Sequence, residues 1–228
     1  PDFLAERIAK VVAEALSKAK PAQINFAIGQ QTGLSFNRRY LMKDGKVKFK
    51  PGQLNPDIVK PAGPNDPDVG MLLVNEGGKF VGGVTIFAMH ADTAGGTLYS
   101  ADYPFFLQQT LRKQLGENYV SGFAAGTCGD INHINTAVKE KTKGFPVSEH
   151  IGDTLGQTVL ANLPNAEPIQ NPSLAVRSVK ITLPFQEVTP EEVADAKNKI
   201  DQLGDPKANF YMKVAAVKIL DLADKGPK

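Results

Sequence analysis

The chain has 228 residues, 42% of them hydrophobic and 22% charged, a composition that excludes disorder, collagen and coiled coil and suits one sizeable globular domain over residues 1–228. A formal net charge of +2, with Lys and Arg scattered along the chain, gives no nucleic-acid footprint. The single cysteine, Cys128, excludes an internal disulfide, and no apolar run reaches the roughly 18 to 20 residues of a membrane-spanning helix.

Residues 3–19 place Leu4, Ile8, Val11, Val12, Ala15 and Leu16 at helical spacing, ending before Pro21, which predicts an amphipathic helix. Ile24, Phe26 and Ile28 alternate as in a half-buried strand. A polar loop, QQTGLSFNRRY, follows, and then Asp44-Gly45 marks a tight turn. Five prolines between Pro51 and Pro67 predict an ordered surface excursion with no regular element. Two nearly continuous apolar stretches, Val69–Val74 and Lys79–Met89, joined by NEGG, predict hairpin strands buried on both faces. Beyond them the pattern predicts a helix over 104–115, a strand over 119–125 and a helix over 148–163. A long strand marked by Leu174, Val176, Val179, Ile181 and Leu183 comes next, then helices over 190–203 and 208–223. Strands alternating with helices predict an α/β fold, a mixed β-sheet flanked by helices.

Three polar stretches end neighbouring apolar segments and are expected to meet at one site: FAMHADTAGG, SADYP and GTCGDINHIN. His90 stands where a strand breaks off, with Asp92 and Thr93 placed to orient it. His133 has Asp130 and Asn132 close in sequence, whereas His150 reads as the outer face of a helix. No histidine pair has the spacing of a compact zinc motif. Asp102 is an N-cap or a functional carboxylate, and Arg38 or Arg39 can clamp an oxyanion or a substrate hydroxyl. Gly126 and Gly129 are expected to turn backbone N–H groups inward as an oxyanion pocket. Cys128 has His133 as its nearest partner in sequence for activation. The paired glycines form no phosphate-binding fingerprint.

Taken in order, FNRRYLMKDG, NPDIVKPAGPNDPDVGMLLV, FAMHADTAGG, SADYP and GTCGDINHIN resemble the neutral/alkaline ceramidase superfamily, zinc amidohydrolases that cleave the N-acyl bond of ceramide. The likeness is nearer to a bacterial branch carrying FNRR and GDINHI than to the proven ceramidases. The resemblance covers most of the chain up to about Asn135. It implies that His90 is a zinc ligand, that Arg38 and Asp102 lie on the substrate side, and that Asn132 stands where the family has its active-site serine. The family's other zinc ligands lie upstream of the position matching Pro1 or downstream of that matching Lys228, so the chain reads as an internal portion of a larger catalytic domain.

Three functions follow as expectations. The first is a zinc-dependent hydrolase of a ceramide-like N-acyl amide, with metal-activated water as nucleophile in place of the serine. In it Asn132 or loop N–H groups hold the oxyanion, while Asp130 and His133 shape the pocket or move protons. The second is a non-catalytic ligand-binding relative, and the third a cysteine-dependent enzyme. A lipid or other small amide is the implied partner. The resemblance leaves a secreted or periplasmic location open, and oligomeric state is not readable.

Overall fold

The computed structural model describes residues 2–205 and 209–226. By its contacts the chain expected as a single domain divides into two compact units, residues 1–173 and 174–228.

The first unit opens with α1 (Asp2–Ser17) and continues through β1 (Gln23–Gln30), β2 (Phe36–Asn37), β3 (Arg39–Met42), β4 (Val47–Phe49) and β5 (Ile58–Pro61). Then come β6 (Asp68–Glu76), β7 (Lys79–Phe87), α2 (Tyr103–Leu115), β8 (Val120–Ala125), β9 (Ile131–Asn132), α3 (Phe145–Asn162) and β10 (Glu167–Pro168). Five strands form the main sheet in the order β10-β1-β6-β7-β8. All its pairs are antiparallel except β7 with β8. That parallel pair is joined through α2, because strands running the same way need a crossover that a tight turn cannot supply. The sheet is therefore mixed, with helices on it, as the alternation of elements predicts.

Val69, Met71, Leu73 and Phe87 project from one face of the sheet and are buried with Leu107, Leu111, Ile151, Leu155 and Val159 of α2 and α3. The two helices approach closely because α3 presents Gly152 and Gly156. A Cβ on Gly152 would lie 2.5 Å from the Tyr103 carbonyl oxygen and 2.7 Å from the Leu107 nitrogen, and one on Gly156 would lie 2.6 Å from the Thr110 side chain. Thr110 also donates a hydrogen bond to Asp153 across the same seam.

Three expectations need correction. The hairpin strands β6 and β7 are buried on one face only: Leu72, Val84 and Ile86, with Phe26 and Ile28 of β1, are exposed. An apolar residue at every position cannot by itself distinguish two covered faces from one. Within the proline-rich excursion, Ile58–Pro61 does form a strand, on an edge where Pro61 sacrifices no ladder bond it must donate. The predicted strand from Leu174 to Leu183 is not one: these residues have no strand assignment, and Leu174 is 95% exposed. Alternation supplies a face, but a strand also needs a partner ladder.

The first helix forms as predicted but buries none of its residues. In the second unit, α4 (Pro190–Ile200) starts at a capping box between Thr189 and Glu192, and α5 (Phe210–Lys225) is capped by Asn209. The expectation that a helix begins at Ala208 falls partly outside the described residues.

Candidate functional site

The parallel pairing of β7 and β8 brings their C-terminal ends to one edge of the sheet, and both following loops lie there. Gly126 donates its N–H to the Phe87 carbonyl at 3.0 Å. Its bare Cα sits against Ala88, where a Cβ would come within 3.2 Å. For Gly126 this corrects the expected oxyanion donor, because its N–H is spent on strand pairing. Neither Gly126 nor Gly129 adopts the left-handed conformation.

The close approach of the two loops sets His90 beside Cys128, with Nδ1 3.1 Å from Sγ. The expected partner in sequence, His133, is engaged elsewhere. On the other side of the imidazole, Nε2 is 2.9 Å from Nη2 of Arg38. Arginine can only donate, so Nε2 is the accepting nitrogen and the ring proton sits on Nδ1, directed at the sulfur.

Arg38 is held in place by the third loop. The two-residue ladder of β2 with β9 pairs Phe36 with Asn132 and Asn37 with Ile131. Arg38 donates its backbone N–H to Asp130 O at 2.7 Å and Nη2 to Gly129 O at 2.7 Å. Its guanidinium lies 4.8 Å from the centroid of the Phe49 ring, within cation–π range. Asn37 donates to the Asp130 carboxylate at 2.9 Å, so Asp130, expected to shape the pocket or move protons, ties the FNRR loop to the GDINHI loop. Arg39, the other arginine candidate, is exposed.

Asn132 is 1% exposed. Its Oδ1 accepts from Ile134 N at 3.1 Å, but Nδ2 is buried with no hydrogen-bond partner, and so is Nε of Arg38. Leaving a donor in that state costs about 1–3 kcal/mol. Both residues line a cavity of about 270 Å³ with Tyr40, Lys50, Gln53 and Thr142.

His133 is buried and its Nε2 donates to the Thr142 carbonyl at 2.6 Å. Its Nδ1 stands 3.2 Å from Asp92 Oδ1. The facing His133 imidazole holds the Asp92 carboxyl below its ordinary range against the opposing effect of burial, with a smaller contribution from Lys50. Asp102 behaves as an N-cap. Its carboxylate accepts from Thr93 N, Thr93 Oγ1, Ala94 N and Tyr103 N at 2.6 to 2.8 Å. This satisfies the start of α2 and pins the loop after His90. His150 lies exposed on α3 as expected.

The cavity wall includes residues that the sequence gave no reason to select, above all Lys50. Its backbone is left-handed, φ 48°, an uncommon state for a residue with a Cβ, and its N–H is bonded to Arg38 O at 2.8 Å.

A zinc ion at His90 does not fit the donors present. Among the described residues no three His, Cys, Asp or Glu side chains converge, and both nitrogens of His90 already face a partner, one of them a cation. Structural zinc needs four donors and catalytic zinc about three from protein.

No family model and no curated protein matches the chain. Among solved structures, neutral ceramidase from Pseudomonas aeruginosa matches with TM-score 0.55 and 19% identity, over 72% of this chain and 26% of that one. A structure described as ceramidase complexed with C2 matches with TM-score 0.53 and 19% identity, over 70% of this chain and 25% of that one. The chain thus has the fold of part of a ceramidase and spans about a quarter of the length of either structure. At such identity the likeness concerns fold, and chemistry has to be argued from the site.

Proposed function

We propose that the chain carries the substrate pocket of a hydrolase that cleaves a linear, ceramide-like N-acyl amide. The observation that carries this reading is the unpartnered Nδ2 of Asn132, a buried donor on a cavity wall beside the Arg38–His90–Cys128 cluster. An acyl oxygen placed there would satisfy it, and the bond would strengthen as that oxygen gains negative charge. Arg38 fixes the tautomer of His90 from the other side. The ceramidase-like fold supports the amide as reacting group, and membership of the bacterial branch rests on FNRR and GDINHI alone.

Zinc dependence belongs to this proposal only with donors from outside the described residues, and with Arg38 or Cys128 giving up its nitrogen of His90. Metal content of the purified chain, before and after His90→Ala, tests that part directly.

The His90–Cys128 contact favours a second reading, covalent catalysis at sulfur. The route needs a thiolate beside an imidazolium, so the thiol proton would first pass to His90 as Arg38 withdraws from Nε2. Sγ would then attack the acyl carbon, and the amide C–N bond would break as the leaving nitrogen takes the proton of Nδ1. Water would cleave the thioester, returning a proton to Nδ1, restoring the thiolate and releasing the acid. Turnover of a panel of N-acyl amides by the purified chain tests the main reading. Asn132→Asp keeps the size of the side chain but removes the donor, and should lower kcat by about 10²–10³. Unchanged turnover in that variant would remove Asn132 from the site. Unchanged turnover in Cys128→Ala would remove the thioester route.

A further inference from the structure

The cavity beside Asn132 is cationic. Of its nine lining residues two, Arg38 and Lys50, carry positive charge and none is acidic. Both cations are fastened. The Arg38 guanidinium is 4.8 Å and the Lys50 ammonium 5.4 Å from the centroid of the same Phe49 ring, and the N–H of Lys50 is bonded to the carbonyl of Arg38. The nearest compensating carboxylate is Asp92, whose Oδ2 stands 3.9 Å from Lys50 Nζ, at the outer limit of an ion pair. Among the described residues Lys50 Nζ makes no hydrogen bond, and Arg38 Nε is buried without a partner. Two like charges on one cavity wall repel each other, and with Asp92 3.9 Å from one of them a ligand anion on the spare donors would offset what repulsion is left.

A neutral diol headgroup such as that of ceramide gives this wall nothing to neutralise. We infer that the cavity binds a carboxylate, and that the preferred substrates are N-acyl amino acids. Their carboxylate lies between Lys50 and Arg38, and their acyl oxygen lies on Asn132. A neighbouring groove of about 530 Å³ shares Tyr40 and Thr136 with the cavity and is walled by Phe36, Leu54, Ile58 and Val59, a run of apolar surface suited to the acyl chain. The inference rests on the amide-hydrolase reading for the identity of the scissile bond, but the charge preference is separate from turnover.

The test compares N-octanoylglycine with N-octanoylethanolamine, which share the acyl chain and the amide and differ by the carboxylate. Affinities are measured by calorimetry on the full chain, alongside release of glycine or ethanolamine. The acid should bind at least tenfold more tightly, with the margin shrinking as salt is raised. Lys50→Met should cost the acid about tenfold more than it costs the neutral amide, and Lys50→Arg should restore most of the margin. Equal affinities, tighter binding of the neutral compound, or no binding of either would overturn the inference. Preferential binding of the acid without glycine release would leave it standing and refute the hydrolase. Hydrolysis of both compounds without preference would do the reverse.

Discussion

Arg38 dictates which nitrogen of His90 holds the proton, and this is measurable. The Nη2 to Nε2 contact of 2.9 Å is a hydrogen bond from a charged donor, worth about 1.5–3 kcal/mol. At about 1.4 kcal/mol per factor of ten, it biases the ring toward the Nδ1–H form by roughly 10- to 150-fold. The Sγ of Cys128 at 3.1 Å adds an acceptor for that same proton. In ¹⁵N-labelled protein, long-range correlations from the ring carbon protons should show a protonated Nδ1 and an unprotonated Nε2 for His90. Arg38→Met removes the donor, so the ring should shift toward Nε2–H, with the largest change at Nε2. Dominance of the Nε2–H form in the unmodified protein would refute the assignment of Arg38 as the group that sets the tautomer.

Gly152→Ala gains about 1 kcal/mol of helix propensity but drives a methyl to 2.5 Å from Tyr103 O and 2.7 Å from Leu107 N. Backbone atoms cannot turn aside, so a net loss of about 2 kcal/mol is expected, lowering Tm by roughly 4–8 °C. Gly129→Ala, with nothing within 4 Å of the new methyl, should leave Tm nearly unchanged, and equal shifts in the two variants would contradict the account of the helix seam. Asp102→Asn keeps a side chain that tolerates φ 56° but sets an amide against donors now satisfied by a carboxylate. It should cost about 2–4 kcal/mol in a urea melt, and a variant of full stability with weakened ligand binding would restore Asp102 to the substrate side. Burial pushes the Tyr119 hydroxyl up from 10.0 to about 12. Because the folded value is raised, its contribution is intact below about pH 10 and is lost as pH rises through 12. Tyr103, raised by burial and by the Asp102 charge beside it, acts in the same direction. Tyr119→Phe should therefore flatten the alkaline fall in stability without abolishing it, and an unaltered pH profile would show that Tyr119 is not the group responsible.

What the sequence disclosed, and what it hid, follow from the range of the interactions involved. The strands β1, β6, β7 and β8 and the helices α2 and α3 could be read because their side chains repeat with the period of the element, and that signal is local. Leu174 to Leu183 carry the same local signal without the pairing that would make it a strand. The open face of β6 and β7 was hidden for a related reason: composition records that a residue is apolar, whereas burial depends on what is laid over it. At the site, His90, Arg38 and Asn132 were legible as loop residues at segment ends, and the structure brings Arg38 to His90 and sets Arg38 and Asn132 on one cavity. The partner of Cys128 was not, since 38 residues separate it from His90 and only the parallel pairing of β7 with β8 closes that distance.

Lys50 carries no local signal of its place in the fold. In sequence it is one lysine of KVKFKPG, indistinguishable from its neighbours Lys46 and Lys48, and exposure is the default for all three. Three local facts single it out in the fold: a left-handed backbone, an N–H given to the carbonyl of Arg38, and an ammonium beside the ring that also bears the Arg38 guanidinium. Each costs conformational freedom, and placing a second cation near the first opposes folding electrostatically. The Asp92 carboxylate 3.9 Å from the ammonium offsets part of that charge, and the proposed carboxylate ligand would offset more. Asp130 and Asp102 have carboxylates already bonded to loop and helix donors and so build the cavity's surroundings, whereas Arg38 Nε and Asn132 Nδ2 keep unpartnered donors, the ones the proposed substrate would meet.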